Sequence, residues 1–134
     1  MRILFLSALI ILLGACGKPS AVSKKLSDAD SLVIIFNVPD TDSVINTVST
    51  TDAGAIKKIK NFVDGKAKDG TPCGYDGHMN FYSKQQLLLQ VVFSYHTADC
   101  RQFIFDLDNK VQTTKVNDEA KGFLQSVAEG KNWY

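Results

Sequence analysis

The strongest constraint on this chain is an alternation of apolar and polar residues between Gly74 and Leu107. Tyr75, Met79 and Phe81 share one parity. After turn-forming residues at Ser83 to Gln86, the same parity carries Leu87, Leu89, Val91, Phe93 and Tyr95. "RQFIFDL" repeats the alternation through Phe103, Phe105 and Leu107. A period of two marks strands that lay one face on a core, and the short polar breaks between them call for hairpins. One face of an antiparallel sheet is therefore apolar. The other face carries His78, Asn80, Tyr82, Gln90, Ser94 and His96.

The flanking segments complete the layers. "SLVIIFNV" (Ser31 to Val38) is apolar on both parities and bounded by Pro39-Asp40, which predicts a strand buried on both faces. "SVINTVST" is a weaker second strand after the turn-rich "PDTD". In "TDAGAIKKIKNFVDG" the period changes. Ile56, Ile59, Phe62 and Val63 form a helical stripe, with Thr51 or Asp52 as cap and Gly65 as the exit residue. "DN" at Asp108-Asn109 turns into "KVQTTKV", and Asn117 caps a last helix from Asp118 to Glu129 with Gly130 behind it. Trp133-Tyr134 reads as a latch over that helix. The expected class is α+β: one antiparallel sheet of five to six strands, two helices on one face, in the order β-β-α-β-β-β-β-α.

Cys73 and Cys100 bracket one hairpin, and in an exported chain such a pair predicts a disulfide. The competing reading is a zinc site from Cys73, His78, His96 and Cys100. Strand register argues against it. With the turn near Gln85, paired residues sum to about 170, so His78 faces Val92 and His96 faces Gly74. The imidazoles would then lie about 13 Å apart at the usual strand rise, too far for one tetrahedral ion. No metal and no cofactor is expected. "DLDN" and "DTDS" each carry two acids and lack the later glutamate of a calcium loop. Asp76 beside His78, or Asp99 beside His96, could orient an imidazole. There is no Gly-x-Ser-x-Gly motif, and pairing of the cysteines leaves no thiol nucleophile, so no catalytic residue is expected.

The N-terminus gives the chain its address. Arg2 precedes an apolar stretch from Ile3 to Leu13, far short of the roughly 20 residues that span a bilayer. This is the layout of a secretory signal. Its exit, Leu13-Gly14-Ala15-Cys16, resembles the lipobox of bacterial prolipoproteins. The resemblance implies cleavage before Cys16 and lipid on its thiol. Gly17, where an aspartate would resemble an inner-membrane retention signal, directs the expectation to the outer membrane, facing the periplasm. Residues 1-15 are thus expected to be a signal peptide, 16-30 a lipidated cysteine and flexible tether with a reach of roughly 20 Å, and 31-134 a single domain.

Without Arg2 the chain carries fourteen basic and fourteen acidic residues. That balance offers no basic face for nucleic acid. The membrane is expected as a partner through lipid on Cys16, and an envelope protein through the sheet face of His78, Asn80, Tyr82, Ser94 and His96. The leading expectation is a non-enzymatic, lipid-anchored binding or accessory protein of the cell envelope. An inhibitor or immunity-type lipoprotein that blocks an envelope hydrolase is the alternative. A hydrolase using His78 or His96 is the third.

Overall fold

The alternation resolves into six antiparallel strands in one sheet. They are β1 (Ser31–Asn37), β2 (Val44–Thr50), β3 (Gly77–Ser83), β4 (Gln86–Ser94), β5 (Gln102–Leu107) and β6 (Lys110–Lys115), ordered in space β2-β1-β3-β4-β5-β6. The computed structural model describes residues 17–131. The lipobox with Cys16, and Trp133-Tyr134, lie outside the described residues. Helices α1 (Ala21–Lys25), α2 (Ala53–Val63) and α3 (Asp118–Ala128) bury Val22, Ile56, Ile59, Val63, Leu124 and Val127 in the same core as the inward strand residues. The fold is α+β, with the helices against one face.

Local chemistry sets the element ends. Asp52 accepts from Ala55 N (2.8 Å) and Asn117 from Ala120 N (2.7 Å), satisfying free donors at the starts of α2 and α3. Lys84-Gln85 and Asp108-Asn109 have positive φ at both positions, as two-residue hairpin turns demand. Neither residue of the first turn is a usual occupant. Asp30 Oδ2 accepts from Lys84 N at 2.8 Å and holds that turn from outside.

Three expectations need correction. The segment read as a tether is part of the domain: Ser20 caps α1, and Val22 and Leu26 are buried, Leu26 completely. Two apolar residues four apart place one short helical face on the core, which is worth roughly 2 kcal/mol for a buried Leu. Leu87 was expected on the apolar face, yet it is exposed. The β3–β4 register slips between Phe81↔Leu89 and Tyr82↔Leu87, so Leu88 is an extra residue that reverses the parity beyond it. β1 is not buried on both faces. Leu32, Ile34 and Phe36 are buried, whereas Val33 and Ile35 remain partly exposed, because helices cover only the inner side.

Candidate functional site

The outer face is the broad surface that no helix covers among the described residues. Register places Ile35, His78, Val92 and Ile104 in one row across four strands, since Ile35 pairs with His78, His78 with Val92, and Val92 with Ile104. Val33, Asn80 and Gln90 form the next row. The face is thus mixed rather than polar. Sequence reasoning missed its apolar half because it followed only the stronger parity of each strand.

Leu87, Leu88, Gln90, Val92, Ile104 and Val111 line a shallow depression of about 390 Å³ on this side. Small-molecule sites are concave and enclose most of the ligand. An open dish suits another protein better. On β3, Asn80 Oδ1 is buried and has no hydrogen-bond partner. A buried acceptor left unpaired is uncommon and calls for explanation.

One end of the sheet is pinned by the Cys73–Cys100 disulfide, with Cα atoms 5.5 Å apart. Gln102 Nε2 donates to Cys73 O (2.8 Å), and Lys68 Nζ reaches both Gln102 Oε1 (3.3 Å) and Asp99 O (3.2 Å). Gly77 starts β3 at φ +153, where an added Cβ would collide with the Ile35 carbonyl oxygen. Only glycine lets β1 and β3 approach this closely.

The charged centre of this end is Asp76, which is 3 % exposed. Its Oδ2 accepts from Tyr95 N (2.6 Å) and His96 N (3.0 Å), and its Oδ1 lies 3.1 Å from His96 Nδ1. Neither histidine keeps the aspartate expected from chain proximity. Asp76 holds His96, while His78 Nδ1 lies 3.1 Å from the Tyr75 hydroxyl. The reason is backbone geometry. Asp76 N donates to Phe93 O, so its carboxylate reaches the residues that leave β4 rather than the outer face. Tyr95 stacks on His96 at 4.6 Å. Burial, then the charges of Asp76 and Glu129, pushes the Tyr95 phenol up to about 12. Burial, with Asp42 nearby, also pushes the Tyr75 phenol up.

Of the five residues expected to share a binding face, His78, Asn80 and Tyr82 do lie on the outer side of β3. Ser94 does not contribute. It is 2 % exposed, with the 73–77 segment folded over it so that an added Cβ on Gly74 would stand 2.6 Å from Ser94 Oγ. That contact replaces the expected Gly74–His96 pairing. His96 lies past the end of β4, with its side chain half exposed. The two thiols of the alternative zinc set are consumed by the disulfide, and the two histidines have separate partners. Among the described residues, no three His, Cys, Asp or Glu side chains are grouped to hold a metal ion. No helix there is long and apolar enough to cross a membrane.

No known protein family, curated protein or solved structure matches the chain.

Proposed function

We propose that this chain is a lipid-anchored binding or accessory protein of the cell envelope, non-enzymatic, attached through Cys16 and contacting an envelope protein with its outer sheet face. The observation that carries the reading is the open face itself. Apolar Ile35, Val92 and Ile104 run in register with His78, and Val33, Asn80 and Gln90 form the next row. Contiguous apolar surface rimmed by polar groups marks protein interaction sites. The lipobox resemblance supplies the anchor, and the outer membrane, facing the periplasm, is its expected place.

Two arms test this. Cys16→Ser should release the protein from the membrane fraction or leave an uncleaved precursor, and mass spectrometry should find acyl chains on Cys16 of the native protein. A photocrosslinker at Tyr82 should trap one discrete envelope protein, with Val92→Asp abolishing the product and Lys57, across the domain, giving none. A product unaffected by Val92→Asp would remove the outer face from the proposal. An unmodified N-terminus would remove the anchor.

The hydrolase reading retains one specific support, the buried carboxylate of Asp76 against His96 Nδ1. A carboxylate in that position fixes an imidazole as a general base is fixed. It now singles out His96, and His78 drops from it. A measured hydrolytic activity lost in His96→Ala and kept in His78→Ala would establish it over the binding reading.

A further inference from the structure

Three cations line one cavity at the start of α3. Lys68, Arg101 and Lys115 surround about 250 Å³, together with Asn117 and Asp118. Three separate stretches of chain bring the cations there. Lys68 stands on the segment after α2, where its N donates to Thr113 O and lays that segment along β6. Lys115 ends β6, and Arg101 stands between Cys100 of the disulfide and β5. Like charges brought together repel, yet Asp118 supplies the only carboxylate lining this cavity. Asp69, Asp99 and Glu119 are neighbours in the chain and do not line it.

The charges are held in place rather than neutralised. Lys68 Nζ donates to two neutral acceptors, Asp99 O (3.2 Å) and Gln102 Oε1 (3.3 Å). Gln102 is buried and tied to Cys73 O at 2.8 Å, so the disulfide loop positions the ammonium. An ammonium has three donors, and two are used here. Arg101 Nη1 lies 3.1 Å from Asp118 Oδ1, but that side chain is 98 % exposed, so water screens the pair. Among the described residues, Lys115 has no ion pair. With three cations against one carboxylate, the cavity keeps two positive charges in excess.

We infer that this cavity binds a phosphate group, as the free ion or as a small phosphate monoester. A phosphate on a hydroxyl carries about −1.5 to −2 charges at pH 7, which matches the two cations in excess. Its three free oxygens accept from three directions, as the three stretches of chain supply donors, whereas a carboxylate offers two oxygens in one plane. Arginine meets such oxygens two at a time, and lysine meets them as a point charge. The volume lies below the roughly 300–1,000 Å³ of sites that enclose a whole drug-sized ligand. The cavity therefore seats the phosphate and leaves the rest of a monoester in solvent. It shares no residue with the outer face or the lipid anchor.

The test titrates the full chain in detergent, at low salt, with inorganic phosphate, phenyl phosphate and acetate. Calorimetry should show at least one of the two phosphates binding at least tenfold more tightly than acetate. The tighter of the two identifies the free ion or the monoester as the ligand. Amide resonances of Lys68, Lys115 and Asn117 should shift, and those of β2 should stay. Lys115→Gln should weaken phosphate binding at least fivefold with the melting temperature unchanged, whereas Lys110→Gln, at the far end of β6, should leave it intact. Asp118→Asn removes the competing carboxylate and frees Arg101, so it should tighten binding at least threefold, a gain that damage to the fold cannot produce. Acetate binding as tightly as phosphate, or Lys110→Gln weakening phosphate as much as Lys115→Gln, would overturn the proposal. So would weaker binding in Asp118→Asn, or no heat with either phosphate.

Discussion

At β6, lysines stand at both ends of the strand, and the segment after α2 lies along its outer side, while at β2 no chain among the described residues pairs along the outer side. Ala67 bridges Thr114, Lys68 N donates to Thr113 O, and Lys115 N donates to Lys66 O. Among the described residues, neither device appears at β2. Both edges begin with the same liability, a row of unpaired backbone groups. The difference shows that the fold can shield an edge when chain is at hand. The loop after α2 returns to the sheet because Thr114 Oγ1 donates to Val63 O (2.7 Å), tying the helix end to the strand. The chain that leaves β2 turns directly into α2 and passes beneath the sheet.

The largest test breaks the shielded edge. Reducing Cys73–Cys100, which closes a 27-residue separation, should cost about 3.5 kcal/mol on the chain-entropy account. At about 4–8 °C per kcal/mol, the melting temperature should fall by more than about 10 °C. Because Lys68 and Gln102 tie the β6 cover to the disulfide loop, amide exchange should accelerate first at Lys68 and Lys115, with β2 unchanged. Uniform acceleration would show that the disulfide does not clamp this edge.

Thr114→Val should cost about 1–3 kcal/mol, the penalty for leaving a buried carbonyl without its donor. Chemical denaturation would measure it, and proteolysis near Lys66 and Lys68 should quicken. A pH titration probes the pinned end between the two edges. The Tyr95 phenol titrates higher in the fold than in the unfolded chain, so the folded state holds its proton where the unfolded state has lost it. Stability is then full below pH 10 and falls as pH rises from 10 to about 12. Asp76→Asn removes one of the raising charges and should move the tyrosinate absorbance midpoint down.

The smallest effect sharpens the contrast most. Ile45→Lys on β2 and Val111→Lys on β6 both change exposed residues, and each should alter stability by less than about 0.5 kcal/mol. Calorimetry on the two variants would measure both shifts, and a larger loss at Val111 would show that the shielded edge carries more of the stability.

Much of this architecture was legible because period-two parity is a property of single strands. Met79, Phe81, Val91, Phe93, Phe103 and Phe105 are all buried as their alternation requires, and the His78–Val92 pairing follows from the turn position alone. Asp52 and Asn117 act as caps, and Gly130 follows α3 with φ +76. Gly65 was legible in place but not in role. Its φ is not positive, and it admits the close approach of Lys115 O, where an added Cβ would stand 3.3 Å away. α1 was hidden because five residues with one lysine pair give no periodic signal. Leu87 was misplaced because a bulge cannot be read from one strand without its partner. The Asp76–His96 contact escaped for a related reason: it depends on where the ladder stops, which the loop decides. On the outer face, Val33, Ile35, Val92 and Ile104 were visible as apolar residues, but their meaning depended on which side the helices took.

The docking of α1 shortens the leash. Only Gly17 to Ser20 separate Cys16 from the helix, and four residues span at most about 14 Å when fully extended. With lipid on Cys16, the domain would ride close above the headgroups, free to spin about the membrane normal and restricted in tilt. Its encounters would then be lateral. If the anchor is real, proteins in the same leaflet would come within range by two-dimensional diffusion, while anything held in a facing membrane would stay beyond it.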